Sequence, residues 1–407
     1  MKIRKILEKE ALDRFFVCSF VVILLGVLTA CGQDKDIESE EISTIDEIEV
    51  TNQMEVAVEV PETNEKDTAD TADTADTMKE MFGENCISDQ TFEVELSEYD
   101  GKVYFVSFFP SEEERDFHMQ IIQDGEVLNE ISSYVPEELE GEEFTSLDAV
   151  SFFDVNYDDN TDIVLIQTYG STSYAVVYYG FSADADEYDR YFYPESGLSE
   201  SIANHVEELT IPEVRSFLTA GKRNGEFISY KEAYEAKSRL CELESSNELD
   251  YDLIYFDEDE IPELVVGVNG YYVSLYTYSD GKLYTLMNHW GYGAMGNVGY
   301  EYSPGKNSLR NYNNDFAGAI AYTTYMSVNE QRCMETVAQI ETYNFDDANG
   351  NGMPDEEEEG SVGYYSVSYI DGVEVTPEQC DAYDVGAYEY IEGSMDLETL
   401  KVNLEGN

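Results

Sequence analysis

Basic residues are scarce in this chain of 407 residues, which has 22 Lys and Arg side chains against 88 Asp and Glu and a formal net charge of −66. A chain with this balance repels phosphate groups, so nucleic acid is excluded as a partner bound through its backbone. Direct docking on anionic lipid head groups is disfavoured for the same reason. The partners that fit electrostatically are cations: metal ions, polyamines or a basic protein surface.

Nitrogen and sulfur ligands for metals are also few. The sequence has three histidines and no Cys-x-x-Cys pair, which argues against a zinc site. Cys18 and Cys31 lie near the N-terminus, and the remaining cysteines are Cys86, Cys241, Cys333 and Cys380. These four allow two disulfides, but none of their spacings is short and we do not favour pairing.

Short catalytic motifs are missing as well. Nothing in the chain matches G-x-S-x-G, H-E-x-x-H or a P-loop. A glycosidase needs only two carboxylates, and a chain this acidic supplies carboxylates everywhere. An enzyme therefore stays an alternative that no motif favours.

The N-terminus has the layout of an export signal. Basic residues precede an almost wholly apolar run at residues 15–28, which is short for a membrane-spanning helix but suits a signal-peptide core. Residues 1–30 are therefore predicted to be a signal peptide. The small residues before Cys31 resemble the lipobox of bacterial lipoproteins. That resemblance implies cleavage before Cys31, diacylglycerol on its thiol, and a chain anchored by membrane lipid on the extracytoplasmic face of the cell membrane, at the bacterial cell surface.

Residues 31–90 differ in composition from the rest of the chain. They are acidic, rich in Thr and Ala, and include Thr-Ala-Asp repeats at 68–76. Such a segment cannot bury enough apolar surface to offset its chain entropy. We therefore predict a disordered linker, which as a coil would span roughly 40 Å.

From residue 91 the chain is rich in strand-forming residues. Short runs of Tyr, Phe, Val and Ile alternate with Asp-Gly turns at 124–125, 280–281 and 371–372, a pattern that predicts antiparallel hairpins. Helices are predicted after Thr210, Ser229 and Thr376, where capping residues stand. The predicted fold class is α+β, mainly antiparallel β, with two related β-rich modules at 91–224 and 225–407.

Two acidic loops support the division into two modules. Residues 154–166 align with 255–267 at an offset of 101 residues, and each acidic stretch runs directly into an apolar strand. Oxygen side chains at alternate positions of such a loop are typical of calcium ligands. The candidate ligands in the first loop are Asp154, Asn156, Asp158 and Asp162.

A third acidic loop, at 347–358, fits the D-x-[DN]-x-[DN]-G-x5-E pattern of EF-hand calcium loops. Gly352 stands at position 6, where the sharp turn needs a positive φ. The candidate ligands are Asp347, Asn349, Asn351, Asp355 and Glu358. The alternative is a solvated acidic turn that happens to contain Asn-Gly.

The first two loops resemble known repeats. The loop at 154–162 resembles the calcium loops of FG-GAP and VCBS-type repeats, with Asp159 in place of the usual glycine. The second resembles the DxDGDGxPEL signature of Gram-positive, clostridial-type surface lipoproteins, but has Tyr255 and Glu260 at two motif positions. Because each likeness covers about 13 residues, we infer no complete propeller from it.

These resemblances imply calcium as the cofactor. We expect calcium at 154–162 and 347–358, and a solvated loop at 255–263, because the second loop lacks two motif residues. The weaker ligand set in that loop comprises Asp257, Asp259 and Glu263.

The stretch at 288–318 is the candidate recognition surface. Aromatic and amide side chains on glycine-rich loops suit a glycan or protein ligand. The candidate contacts are Trp290, Tyr292, Arg310 and Asn311. The alternative is a hairpin connection whose tyrosines pack on the sheet.

The sequence therefore predicts a lipid-anchored, calcium-binding surface protein that acts as a binding or adhesion module. One rival is an extracytoplasmic enzyme that acts on glycans, which a carboxylate cluster with raised pKa in a deep cleft would favour. A structural accessory subunit of a surface complex is the other rival.

Overall fold

Strand-forming residues dominate the described part of the chain. The computed structural model describes residues 70–97, 99–111, 115–182, 190–220, 227–354 and 363–406. Within them the chain forms two units: an N-terminal unit with residues 70–155 and 159–220, and a C-terminal unit with 156–158 and 227–406. The strand pairings within each sheet are antiparallel. The predicted class, α+β with mainly antiparallel sheet, is confirmed.

The N-terminal unit holds two antiparallel meanders whose strands follow chain order. The strands of the first sheet are β1 (Phe92–Glu95), β2 (Lys102–Phe108), β3 (His118–Gln123) and β4 (Glu126–Ser132). Those of the second are β5 (Phe144–Phe153), β6 (Asp162–Tyr169), β7 (Thr172–Ser182) and β8 (Arg190–Pro194). Three helices accompany the two sheets: α1 (Asp70–Phe82), α2 (Ser196–His205) and α3 (Ile211–Thr219).

One apolar cluster joins the two sheets of this unit. Phe105 and Ile121 from the first sheet meet Ile163, Leu165 and Tyr178 from the second. Each fully buried side chain of this kind contributes about 1.5–3 kcal/mol. The burial explains why β6 reads as a continuous apolar run after Asp162.

The C-terminal unit begins with α4 (Tyr230–Glu244), which is followed by a four-stranded sheet and a seven-stranded sheet. The strands of the four-stranded sheet, in the order β12-β11-β10-β9, are β9 (Asp250–Ile254), β10 (Glu263–Val268), β11 (Tyr272–Ser279) and β12 (Lys282–Gly291). The strands of the seven-stranded sheet are β13 (Tyr300–Tyr302), β14 (Leu309–Asp315), β15 (Ile320–Val328), β16 (Met334–Tyr343), β17 (Tyr365–Ile370), β18 (Val373–Val375) and β19 (Glu389–Tyr390).

The seven-stranded sheet has the order β18-β17-β16-β15-β14-β13-β19. Two short helices complete the C-terminal unit, α5 (Pro377–Cys380) and α6 (Leu397–Gly406). Val265 and Leu275 from the smaller sheet and Leu309 and Met326 from the larger share one buried cluster. This core holds the start of β10, and the loop that precedes it, in a fixed place.

The Asp-Gly turns lie where the sequence predicts them. At 124–125, 280–281 and 371–372 both turn residues have positive φ, and the flanking residues pair across two-residue hairpins. Positive φ at both positions defines the type I′ turn, whose twist matches that of the strands. The predicted helix start at Ser229 is also present, since its side chain accepts a hydrogen bond from the Glu232 amide.

Helix α1 occupies part of the segment predicted as linker. The side chains of Met78 and Phe82 pack against a small cluster formed by Cys86, Val106 and Ile122. These apolar residues, which stand among acidic neighbours, form the face of the helix that packs on the first sheet. Among the helices in the described ranges, none is long and apolar enough to cross a membrane.

Candidate metal centre

The second acidic loop brings three carboxylates together. Oxygen atoms of Asp257, Asp259 and Glu263 lie within 4.8 Å of one another. In the described part of the chain this is the one group of three His, Cys, Asp or Glu side chains at that spacing. The loop for which the sequence favours the solvated state is thus the one whose acids converge.

Backbone amides hold the loop in this shape. The Asp259 amide donates to Asp257 Oδ1 at 2.9 Å, and the Ile261 amide donates to Asp259 Oδ1 at 2.7 Å. Aspartate side chains that accept from an amide two residues on form tight turns. Tyr234 on α4 also donates its hydroxyl to the Pro262 carbonyl at 2.7 Å, which fixes the loop where it enters β10.

Glu263 is the buried member of the group. Its side chain stands at the start of β10, and the residue is only 1% exposed. The Phe256 amide donates to Oε2 at 2.8 Å, and the Thr277 hydroxyl donates to Oε1 at 3.1 Å. Each carboxylate oxygen keeps a second lone pair, so these hydrogen bonds leave Glu263 able to coordinate a cation.

Two members of the group, Glu263 and Asp259, have raised pKa values. Burial raises the pKa of Glu263 to about 7, and the negative charges of Asp257 and Asp259 add to the effect, while the two hydrogen bonds oppose it. Burial also raises the pKa of Asp259, and the neighbouring Asp257 charge adds to that shift. A group of this kind stabilises any cation placed among its oxygens.

One cation of the chain already stands beside the group. Nη1 of Arg332, in the connection between β15 and β16, lies 3.6 Å from Asp257 Oδ2. Nη2 of the same side chain donates to Ser279 Oγ at 3.2 Å. Arg332 has a φ of +62°, a left-handed conformation that is uncommon for a non-glycine residue. The arginine partly neutralises the acids from one side.

The donor set fits a hard divalent cation. All three side chains offer oxygen, and neither His nor Cys belongs to the group. Calcium takes six to eight oxygen ligands, some from water and backbone carbonyls, whereas zinc prefers nitrogen and sulfur. Asp259 is exposed and Asp257 half-buried, so water can complete the shell.

The first acidic loop closes on backbone groups. Asp162 is fully buried, and its two oxygens accept from the Val155 amide at 2.6 Å and the Gly180 amide at 2.9 Å. Asp154 accepts from the Asp159 amide at 3.1 Å. Asp159, which replaces the motif glycine, adopts a φ of +65°, so the left-handed turn persists without glycine.

The other two candidate ligands of this loop bond to each other. The Asn156 side chain donates to Asp158 Oδ2 at 3.0 Å and accepts from the Asp158 amide at 3.1 Å. Within the described residues, the Asp side chains of this loop do not form a group of three at the 4.8 Å spacing. The calcium assignment to 154–162 stays a prediction.

The third loop is described only in part. Asp347 accepts from the Asn351 amide at 3.0 Å and from the Gly352 amide at 3.0 Å. Asn349 Oδ1 accepts from the Asn351 amide at 2.9 Å, and Gly352 has the positive φ that its motif position requires. The two remaining predicted ligands lie outside the described residues: Asp355 and Glu358.

Three of the four predicted recognition residues lie close together. The Trp290 ring is 5.3 Å from the Tyr300 ring, and the Tyr292 ring is 6.5 Å from it. Asn311 pairs with Tyr300 across strands β13 and β14 and donates to Asn297 Oδ1 at 2.8 Å. Tyr292 and Asn311 are each 7% exposed, so this group packs on the sheet and offers little surface to a ligand.

Arg310 belongs to the opposite face of the sheet. Consecutive strand residues point to opposite faces, and Arg310 precedes Asn311 on β14. Its guanidinium donates to Glu301 Oε2 at 2.9 and 3.1 Å and to Asp384 Oδ2 at 3.3 Å, and it stacks 3.9 Å from the centre of the Tyr388 ring. These contacts pair the positive charge of Arg310 with acids inside the fold.

Two other features bear on function. Residues 1–30, predicted as a signal peptide, and the predicted lipidation residue Cys31 lie outside the described residues. Cys86, Cys241, Cys333 and Cys380 form no disulfide within the part of the chain that the structure describes. A cavity of about 440 Å³ in the N-terminal unit, lined by His205, Glu208 and Phe217 among others, shares no residue with the acidic group.

No protein-family model matches the chain, and no curated protein is significantly similar to it in sequence.

Proposed function

We propose that this protein is a lipid-anchored, calcium-stabilised module of the bacterial cell surface that binds another molecule. The observation that carries the calcium part is the convergence of Asp257, Asp259 and Glu263 directly before a buried strand. The strongly negative chain charge supports the same conclusion, because bound cations would reduce self-repulsion.

The cation would act on stability. Asp257, Asp259 and Glu263 would hold it, and it would supply positive charge that offsets the cost of burying Glu263 beside two other acids. A ligand that binds only the native state stabilises that state by mass action. If the affinity is near 1 mM, 10 mM calcium would add about 1.4 kcal/mol, which raises Tm by about 4 °C.

Thermal melts of the full chain test this claim. We expect calcium to raise Tm relative to a chelator-treated sample, and the double variant Asp257→Asn, Asp259→Asn to lose that rise. The matched control is Asp124→Asn, Asp371→Asn, which removes the same charge in two Asp-Gly turns. Asn-Gly is equally suited to the type I′ turns at these positions. An equal calcium response in both double variants would exclude the acidic group as the site.

The anchor rests on the segment before and including Cys31. Its basic start, apolar core and small residues before the cysteine support lipidation. We expect Cys31→Ser to move the protein from the membrane fraction to the soluble fraction of the expressing cells. Unchanged membrane association, with no lipid found on the wild-type thiol by mass spectrometry, would overturn this part.

A glycan hydrolase is the second candidate, favoured by the pKa of about 7 at Glu263. A general acid needs such a pKa, but it must also reach its substrate. Glu263 is 1% exposed and accepts hydrogen bonds from the Phe256 amide and the Thr277 hydroxyl. This burial favours a structural role. Hydrolysis of cell-wall glycans by the full chain that Glu263→Gln abolishes, with the fold retained, would support the enzyme instead.

A further inference from the structure

The seven-stranded sheet has one face that the core covers only in part. Its opposite face packs Tyr325, Ala338 and Ile370 around Cys380 of α5. On the first face, the pairing register aligns Ile320, Tyr343 and Tyr365 in one row. The next rows along β15, β16 and β17 contain Tyr322, Glu341 and Val367, then Thr324, Gln339 and Tyr369.

Aromatic rings line this face, which we call the tyrosine face. The rings of Tyr343 and Tyr365 stack in parallel, with centres 4.5 Å apart and an angle of 1° between their planes. Tyr365 is 39% exposed, and Tyr322, Tyr343 and Tyr369 each keep part of their surface in solvent. A flat ring with an accessible face attracts cations through its quadrupole.

Carboxylates are fixed among these rings. Glu341 accepts from the Tyr343 hydroxyl at 2.8 Å and from the Gln339 side chain at 3.1 Å. Asp315, at the end of β14, lies on the same face, since it pairs with Ile320. Burial raises the pKa of Tyr322 to about 12, and the charges of Asp315 and Glu341 add to the shift. The negative potential is thus concentrated at this face.

Within strands β14 to β17 as the structure describes them, no basic residue lies on the tyrosine face. Arg310 is the one Lys or Arg in strands β14 to β17, and it lies on the opposite face, bonded to Glu301 and Asp384. The face therefore presents acids and aromatic rings without an internal cation. A surface of this kind complements positive charge.

We propose that the tyrosine face docks an extended, lysine- or arginine-bearing peptide segment of a partner protein. The cationic side chains pair with Asp315 and Glu341 and lie over the rings of Tyr343 and Tyr365. Asp315 and Glu341 stand two strands apart, about 10 Å. Three residues of a polyproline II chain span about 9 Å and place positions i and i+3 on the same side, so basic residues at those positions reach both acids. The proposal rests on the proposed binding role, and it is independent of the calcium site.

Calorimetric titration of the full chain with tetralysine tests the proposal. We expect saturable binding that weakens about tenfold in Asp315→Asn, Glu341→Gln, because two close charge pairs are lost. Tyr365→Leu, which keeps an apolar side chain but removes the ring, is expected to weaken binding about threefold. The charge-matched control, Asp124→Asn, Glu137→Gln, is expected to change the affinity less than about twofold. Circular dichroism melts check that each variant stays folded.

Three results would overturn the proposal. The first is an equal loss of affinity in both double variants, because attraction would then follow net charge alone. The second is no binding of tetralysine at low salt. The third is binding of a neutral oligosaccharide, chitohexaose, that Tyr365→Leu abolishes and tetralysine does not compete with, which would make the face a glycan site. Each titration is run in calcium and in chelator, so that a failure of peptide binding at the tyrosine face is distinguished from a failure of the cation site.

Discussion

Oε2 of Glu263 accepts a hydrogen bond from the backbone amide of Phe256, seven residues earlier in the chain, at 2.8 Å. Asp162 makes the same contact with the amide of Val155 in the other unit, at 2.6 Å and the same separation. Both acids are almost wholly buried at the start of a strand. In each unit, the acid at the first position of the strand thus forms a hydrogen bond across the loop that precedes it.

This relationship accounts for the internal repeat. The offset of 101 residues that aligns the two acidic loops in sequence also relates Val155 to Phe256 and Asp162 to Glu263. The last acid of each loop has a structural task whether or not a cation binds. The earlier acids of the loop, such as Asp257 and Asp259, are available to bind a cation.

Removal of the buried acid in the first loop tests its structural task. We expect Asp162→Ala to destabilise the protein by about 2–4 kcal/mol, because two buried amides lose their acceptor. Urea unfolding followed by circular dichroism measures the change. Glu143→Ala, at an exposed position, serves as the control and should stay within about 0.5 kcal/mol. Equal small effects in both variants would show that Asp162 does not hold its loop.

Arg332 is expected to substitute in part for a bound cation. In chelator, Arg332→Gln should lower stability by about 1 kcal/mol or less, because the ion pair with Asp257 is partly exposed. The same variant should bind calcium more tightly, since a competing positive charge is gone. Lys306→Gln, an equal charge loss at an exposed residue, is the control. Weaker calcium binding in Arg332→Gln would contradict this role.

Stability in chelator should depend on pH through Glu263. Its folded-state pKa is raised from 4.5 to about 7, so the native state holds a proton that the unfolded state releases. The stability from this proton is fully present below pH about 4.5 and is lost as pH rises through about 7. Glu263→Gln should therefore exceed the wild type in stability at pH 8 by up to about 3 kcal/mol.

Unfolding of both proteins in urea at pH 5 and pH 8 checks this sign. The difference should be small at pH 5, where Glu263 is mostly protonated, and large at pH 8. A difference that grows toward pH 5 would mean that the carboxylate is stabilised in its charged form. Added calcium should reverse the order at pH 8, because only the wild type keeps the full ligand set.

The type I′ turns give a test of backbone conformation. Gly125 has a φ of +84°, and a Cβ added there would meet no atom within 4 Å. Gly125→Ala should therefore cost about 1 kcal/mol from conformation alone. Asp124→Gly, at the neighbouring left-handed position, should be nearly neutral. A neutral Gly125→Ala would show that the hairpin uses a different turn in solution.

Local sequence signals predict the regular parts of this fold. Asp-Gly pairs specify hairpins by themselves, because both residues tolerate the positive φ that the turn requires. The Ser229 cap and the helix that follows are equally local. Helix α1 is not predicted, because the composition of its segment indicates a disordered linker and its packing depends on contacts of Met78 and Phe82 with the distant residues Val106 and Ile122.

The candidate site depends on contacts that no motif encodes. Motif matching ranks the loop at 255–263 last because Tyr255 and Glu260 replace two motif residues, yet its acids converge. At the first loop, Asp159 shows that a left-handed residue need not be glycine. Arg332 contacts Asp257 from the connection between β15 and β16, and Thr277 contacts Glu263 from β11, so sequence spacing gives no signal for them.

The most direct test of the account is a calorimetric titration of calcium into the chelator-treated full chain and into Asp257→Asn, Asp259→Asn. We predict saturable heat at about 0.1–1 mM calcium, with at least one site missing from the double variant and none missing from Asp124→Asn, Asp371→Asn. Equal binding by all three proteins, or no heat at several millimolar calcium, would contradict it, and the acids before β10 would then be a structural turn.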